Sequence, residues 1–339
     1  MIRQYLEKAR YQISAVDFPS FKRRPHFPNL YAEAENFAIL CCVGQHLILT
    51  SIKASKSTFF VADCISIDLP THLIGDYIVE NPVEVSQIVL DLMEAIDLTS
   101  SPILLLLSSS KFRHHCFPIN QISSWDLSDP MLRAKSPFLF DETYLQVHPN
   151  EGSFPGTKSI NGVSYGNTRV VDSWLKVLLS LNSPVIGISP LYSGVIDWLS
   201  DTYKVKNNII FCDVETSCCN LLFRDAASGY KTHQLPFGTS LYSDQSDQLI
   251  DQFFVRLNSS VEVIQGESDF DSELLCIISG FGLGAFGSPL TNNLGQWILF
   301  ADLLDSGYVI SDKIREDKIA LNKYLFSQLL VSLSSYLYP

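Results

Sequence analysis

Apolar residues along this chain alternate between two periods. From Asn36 onward, short runs rich in β-branched and aromatic residues (FAILCCVG at 37–44, HLILTSI at 46–52, STFFVADCISI at 57–67) are separated by polar turns. That pattern predicts a β-meander. The period then lengthens: Val85, Ile88, Val89, Leu92, Met93 and Ile96 recur three and four apart, behind Asn81 as N-cap and Pro82 at the first helical position. An amphipathic helix is expected there. PILLLLSSS at 102–110 follows, an apolar run of strand length between helical patterns, as expected of a strand buried on both faces of a partly parallel sheet. The first third therefore reads β-β-β-α-β.

Residues 111–165 are less regular, with a helix expected near 124–138 and an exposed loop or insertion around HPNEGSFPGTKSINGVSYGN at 148–167. Helical spacing returns with Val171, Trp174, Leu175, Leu178 and Leu181, capped by Asn167 or Thr168, and SPLYSGVIDWLSD at 189–201 predicts a short helix capped by Ser189. IIFCDVETSCCNLLF at 209–223 then reads as strand, turn, strand with Asp213 at the bend. A third strand reaching Gly238, a helix carrying Leu249, Ile250, Phe253, Phe254 and Leu257, and LLCIISGFGLG at 274–284 repeat the β-β-β-α-β order. A closing helix carries Leu325, Phe326, Leu329, Leu330 and Leu333, and the first 35 residues predict a short helix and an extended arm. Duplication of this kind predicts two similar lobes with a cleft between them.

Composition narrows the function. The 339 residues carry a net charge of −12 with no basic stripe, which argues against a nucleic-acid partner, since phosphate backbones are held by clustered Lys and Arg. FKRRPHF at 21–27 is the one basic exception and reads as a solvated loop. The eight cysteines include no CxxC pair and several sit in apolar runs, so reduced buried thiols are expected. HHC at 114–116, even with Cys41, Cys42 or His46, lacks ligand spacing, so no metal site is expected. The uncharged stretch 274–300 is broken by five glycines, Pro289 and the Asn292–Asn293 pair, which argues against a transmembrane segment. No G-x-S-x-G elbow or activated Cys signature is present, and no catalytic residue is assigned.

Four stretches taken in order resemble the actin-like ATPase superfamily shared by actin, Hsp70 and sugar kinases, and within it PilM-type type IV pilus assembly proteins, with MshI and the cytoplasmic domain of the type II secretion L protein. Cys41-Cys42-Val43-Gly44 stands where that family has a first phosphate hairpin of the kind I-D-I-G. Asp213-Val214-Glu215 stands where it has D-x-G, HQLPFGTSLYSDQ continues that hairpin around Gly238, and Ile277-Ile278-Ser279-Gly280-Phe281-Gly282, with Gly284 following, stands at the adenosine-type motif. The resemblance covers residues 36–339. It implies an α/β fold of two lobes, ribonuclease H-like and duplicated, each a mixed sheet flanked by helices. Residues 1–35 form an N-terminal extension, 36–203 the first lobe with its insertion near 111–165, and 204–339 the second lobe plus a C-terminal helix returning toward the first.

Gly44, Asp213, Gly280, Gly282 and Gly284 are the residues that the resemblance assigns to nucleotide. Each also has a purely structural reading: Asp213 closing a turn, Gly44 supplying a backbone angle, the others allowing close packing. One acid has become Cys42 and one glycine Glu215. A carboxylate aimed at the phosphates repels them, and a thiol is a poor partner for Mg²⁺, so ATP and Mg²⁺ binding is expected to be weakened or lost. The resemblance then implies a degenerate ATPase serving as a cytoplasmic scaffold near the inner membrane, binding the cytoplasmic N-terminal peptide of a bitopic pilus assembly protein. The alternative is an active ATPase or small-molecule kinase using Asp213 as base or metal-positioning residue.

Overall fold

The computed structural model describes residues 10–11, 36–55, 58–152, 160–190, 195–196, 199, 209–225, 229–242, 247–266, 274–286 and 294–300. Among them, strands β1 (Arg10–Tyr11), β2 (Asn36–Val43), β3 (His46–Ser55), β4 (Thr58–Asp68), β7 (Ile103–Leu107) and β11 (Val185–Pro190) form a six-stranded sheet in the order β1-β4-β3-β2-β7-β11. The short pair β5 (Ile74–Gly75) and β6 (Ile78–Val79) leads into helix α1 (Pro82–Ala95). Asn81 caps α1 by accepting from the Glu84 N–H, as the spacing predicts. Trp174 and Val177 of helix α3 (Thr168–Leu179) pack with Val85, Val89 and Leu92 of α1 onto one face of this sheet, and Asn167 supplies the α3 cap.

The second sheet repeats the plan. Strands β12 (Ile209–Val214), β13 (Cys219–Asp225), β14 (Gly229–Leu235), β15 (Leu275–Ser279) and β16 (Trp297–Leu299) run in the order β16-β15-β12-β13-β14. In both sheets a hairpin's first strand lies parallel to the strand after the helix, β2 with β7 and β12 with β15. Cys42 pairs with Leu107 at the end of one ladder and Asp213 with Ser279 at the end of the other. Helix α4 (Asp247–Gly266) covers one face, where Phe237, Tyr242, Phe254 and Phe286 ring Phe253 with centroids 5.1–5.9 Å away. Val195, Ile196, Leu199 and Phe300 pack on the other.

The stretch expected to be irregular is mostly strand. Strands β8 (Phe112–Pro118), β9 (Thr143–Gly152) and β10 (Ile160–Asn167) extend the second sheet beyond β14 in the order β14-β8-β10-β9. The helix expected over 124–138 is α2, Pro130–Lys135, started by Asp129 accepting from the Met131 and Leu132 N–H groups. Asn161, Ser164, Gly162 and Gly166 give β10 the look of a loop, yet Val163 and Tyr165 are fully buried in a small core with Phe117, Ile122 and Leu132. Ser189 and Pro190 end β11. Of the helix expected over 189–201, the described residues include helical, buried Val195, Ile196 and Leu199. Of the short helix and extended arm expected over the first 35 residues, only Arg10–Tyr11 are described, as strand β1; the rest, and the closing helix, lie outside the described residues. No helix among the described residues is long and apolar enough to cross a membrane.

Candidate functional site

The β12–β13 hairpin is carried by a strand buried along its whole length. Its turn is closed by the Glu215 N–H donating to the Cys218 carbonyl at 2.9 Å. Behind the turn the chain after β14 comes close: Thr239 N–H donates to the Glu215 carbonyl at 3.2 Å and Ser240 N–H to the Thr216 carbonyl at 2.8 Å. A Cβ at Gly238 would fall 2.4 Å from the Glu215 carbonyl oxygen. The turn after β15 presses from another side. At Gly280, whose φ is +121°, a Cβ would lie 2.3 Å from the Val214 carbonyl oxygen and 2.8 Å from Asp213 Oδ1. At Gly282 it would lie 2.7 Å from the Glu215 backbone. Only glycine permits these approaches.

The Glu215 side chain, 6% exposed, points back across the molecule. Its Oε1 accepts from the Ser108 hydroxyl, the Ser110 N–H at 3.2 Å and Asn220 Nδ2 at 3.1 Å; its Oε2 accepts from the Tyr77 hydroxyl at 3.3 Å. Ser108 and Ser110 follow β7 and Tyr77 lies between β5 and β6, so the first sheet's side contributes three of the four donors. Ser110 Oγ lies 2.7 Å from Ser108 Oγ and donates to it, because the Ser108 proton is committed to the carboxylate.

Tyr77 is held for this task. It sits at φ +68° after Asp76 at +48°, its carbonyl accepts from Trp174 Nε1 at 3.0 Å, and Lys111 Nζ lies 5.5 Å from its ring centroid while pairing with Asp76 at 2.6 Å. Burial, and then the Glu215 charge, push the Tyr77 phenol far above its ordinary pKa, so it stays a donor.

The facing hairpin, β2–β3, carries no acid. Cys42 is fully buried, its thiol donates to the Gly44 carbonyl at 3.6 Å, and burial raises its pKa well beyond the usual thiol range. Gly44 turns the chain at φ +61°, with nothing near where a Cβ would sit. Next to it His46 pairs with Asp68, and its ring meets Phe281 of the second sheet's glycine turn at 4.8 Å. Glu215 and His46 therefore each link the two units.

Of the sequence-predicted residues, Asp213, Gly280 and Gly282 come together around the second hairpin, and Gly44 stands on the facing hairpin with its backbone against the Tyr77 hydroxyl. Asp213 is 2% exposed and packs against Gly280. Gly284 lies further along the same turn, Phe281–Phe286. The pattern of spacings does not reveal Ser108, Ser110, Asn220 and Tyr77. A serine triplet ending an otherwise apolar strand was the available signal for the first two.

His114, His115 and Cys116 do not converge on a metal, and among the described residues no group of three His, Cys, Asp or Glu is placed to hold one. His114 Nδ1 meets Ser164 Oγ at 3.0 Å, while His115 packs on the Tyr165 ring and is lowered to about 4, first by burial and then by the neighbouring His114.

No family model and no curated protein matches the sequence. Solved structures do match. One described as the PilM-PilN type IV pilus biogenesis complex superposes with TM-score 0.63 at 14% identity, covering 89% of this chain and 99% of that one. The fold is actin-like. The ethanolamine utilization protein EutJ from Carboxydothermus hydrogenoformans aligns more loosely, at TM-score 0.44 and 10% identity over 87% of this chain and 89% of that one. The cytoplasmic domain of EpsL, an inner membrane component of the type II secretion system of Vibrio cholerae, aligns at TM-score 0.39 and 9% identity, over 73% and 82%.

Proposed function

We propose that this chain is a non-catalytic actin-like scaffold of a type IV pilus or related secretion assembly, working in the cytoplasm beside the inner membrane. In this reading 36–203 and 204–339 are its lobes, with 1–35 an extension. One observation carries the non-catalytic part: the buried Glu215 carboxylate takes up the Ser108, Ser110, Asn220 and Tyr77 donors beside the second hairpin. A phosphate brought to about 4 Å from that charge would meet a repulsion of ~4 kcal/mol at an effective dielectric near 20, roughly a thousandfold in affinity. The neutral, buried Cys42 offers a hard cation nothing in compensation. The residues present do not fit a magnesium nucleotide, and Gly280 and Gly282 make room for protein backbone.

The assembly role draws on likeness in fold to the PilM-PilN structure. By that analogy the partner is the cytoplasmic N-terminal peptide of a bitopic inner-membrane protein. Two titrations test the proposal on the full chain. Calorimetry with Mg-ATP up to about 1 mM is expected to give no binding heat, and synthetic N-terminal peptides of bitopic pilus or secretion proteins are expected to include one that binds at micromolar strength. Micromolar ATP affinity with turnover would instead establish the ATPase or kinase alternative built on Asp213. Failure of every peptide would remove the partner.

A further inference from the structure

Four donors from separate parts of the chain converge on one carboxylate: a serine hydroxyl, a backbone N–H, a side-chain amide and a phenol. Together these four uncharged groups make a receptor for an oxyanion. Three of them belong to the first sheet's side, and the carboxylate arrives from the second on a turn clamped by Thr239, Gly238, Gly280 and Gly282. Asn220 is 2% exposed and its Oδ1 has no hydrogen-bond partner, so the receptor keeps spare capacity for an anion that itself carries a proton.

Resting on the reading of the cleft as closed to nucleotide, we propose that Glu215 is a tethered oxyanion ligand that locks the two lobes shut. Clefts between lobes commonly close around a ligand that touches both walls. Here the ligand is part of one wall. Tethering holds the carboxylate at a high effective concentration beside its receptor, so closure is constitutive and dissolved anions cannot compete. Removing the carboxylate leaves donors ready for inorganic phosphate, which then closes the lobes from solution.

The test compares wild type, Glu215→Ala and Glu215→Gln as full-length protein by amide hydrogen exchange over 108–111 and 213–220 and by solution scattering. Wild type is expected to ignore phosphate. Glu215→Ala is expected to exchange about tenfold faster in both segments and to expand, and about 20 mM phosphate, but not chloride at equal ionic strength, to reverse both changes. Glu215→Gln, which keeps the shape and one accepting oxygen, is expected to fall between. Exchange in Glu215→Ala equal to wild type, or loosening that phosphate leaves untouched, overturns the proposal.

Should Glu215→Ala not fold, Ser108→Ala serves. It removes one donor from the first lobe and is expected to speed exchange over 213–220 by roughly threefold; unchanged exchange would overturn the lock. The outcomes are separable from those of the preceding proposal. ATP binding by wild type sinks the non-catalytic reading without closing the exchange experiment. A Glu215→Ala that stays shut sinks the lock while leaving the scaffold in place.

Discussion

Replacing Gly280 with alanine decides between two uses of the glycine turn. The added methyl would stand 2.3 Å from the Val214 carbonyl oxygen and 2.4 Å from its nitrogen, so the turn or the hairpin must yield by about 1 Å to restore ordinary contact. Neither yields easily, because β12 is hydrogen-bonded on both sides, to β13 and β15. Overpacking of this order costs ~1–3 kcal/mol, and a side chain at φ +121° adds ~1–3 kcal/mol. At ~2.1 cal/mol/K per residue this chain loses ~0.7 kcal/mol per degree, so a cost of ~2–6 kcal/mol lowers the melting temperature by ~3–9 °C.

Thermal unfolding followed by circular dichroism, without ligand, is the assay. Gly44→Ala is the control: its φ of +61° brings strain of ~1–2 kcal/mol and its Cβ meets nothing, so ~1–3 °C is expected. A glycine kept only to admit a nucleotide would leave the ligand-free melt unchanged. Gly280→Ala melting within about 1 °C of wild type while Gly44→Ala melts lower would refute the packing argument.

Tyr77→Phe keeps the ring but removes the hydroxyl that donates to Glu215, and is expected to cost ~1–2 kcal/mol in denaturant unfolding; an unchanged midpoint would show that the phenol contributes nothing. Asp129 accepts from the Ser123 hydroxyl and amide and from the first turn of α2, which holds its carboxyl down to about 2. Because that pKa is depressed in the folded state, the stabilisation is complete above the ordinary value near 3.8 and fades as pH falls toward 2. Carboxyl NMR should find Asp129 titrating near 2, and a midpoint near 4 would contradict the hydrogen-bonded cap. Burial raises the Cys218 thiol to about 12 and Cys276 to about 11, whereas Cys116 is only half-buried. Iodoacetamide at pH 8 should therefore alkylate Cys116 before the other described cysteines, read by peptide mass spectrometry; earlier labelling of Cys218 or Cys276 would disagree.

The elements that sequence reveals best here are those whose signal is local. Asn81 and Pro82 announce α1, the apolar run 103–107 announces β7, and the duplicated order predicts two sheets that prove to share one plan. What escaped depends on distant pairing. Gly162, Ser164 and Gly166 carry little intrinsic strand preference, and β10 exists because β8 and β9 flank it in register. The consequence of Glu215 for a phosphate was legible as charge repulsion, but its embrace was not. Ser108 and Tyr77 stand 107 and 138 residues away from it, and no spacing rule relates them.

The route of β8 through the molecule bears on how the chain can be divided. It leaves the first sheet's unit and pairs with β14, where the His114 N–H donates to Thr232 Oγ1 at 3.0 Å and Arg113 reaches Gln234. A cut between residues 203 and 204 would therefore strand three β-segments without the neighbour that finishes their ladder, and bare the matching rim of β14 on the other piece. Unsatisfied strand rims recruit whatever backbone they meet. Expressed separately, the halves should clump; expressed together, they should find each other and reassemble.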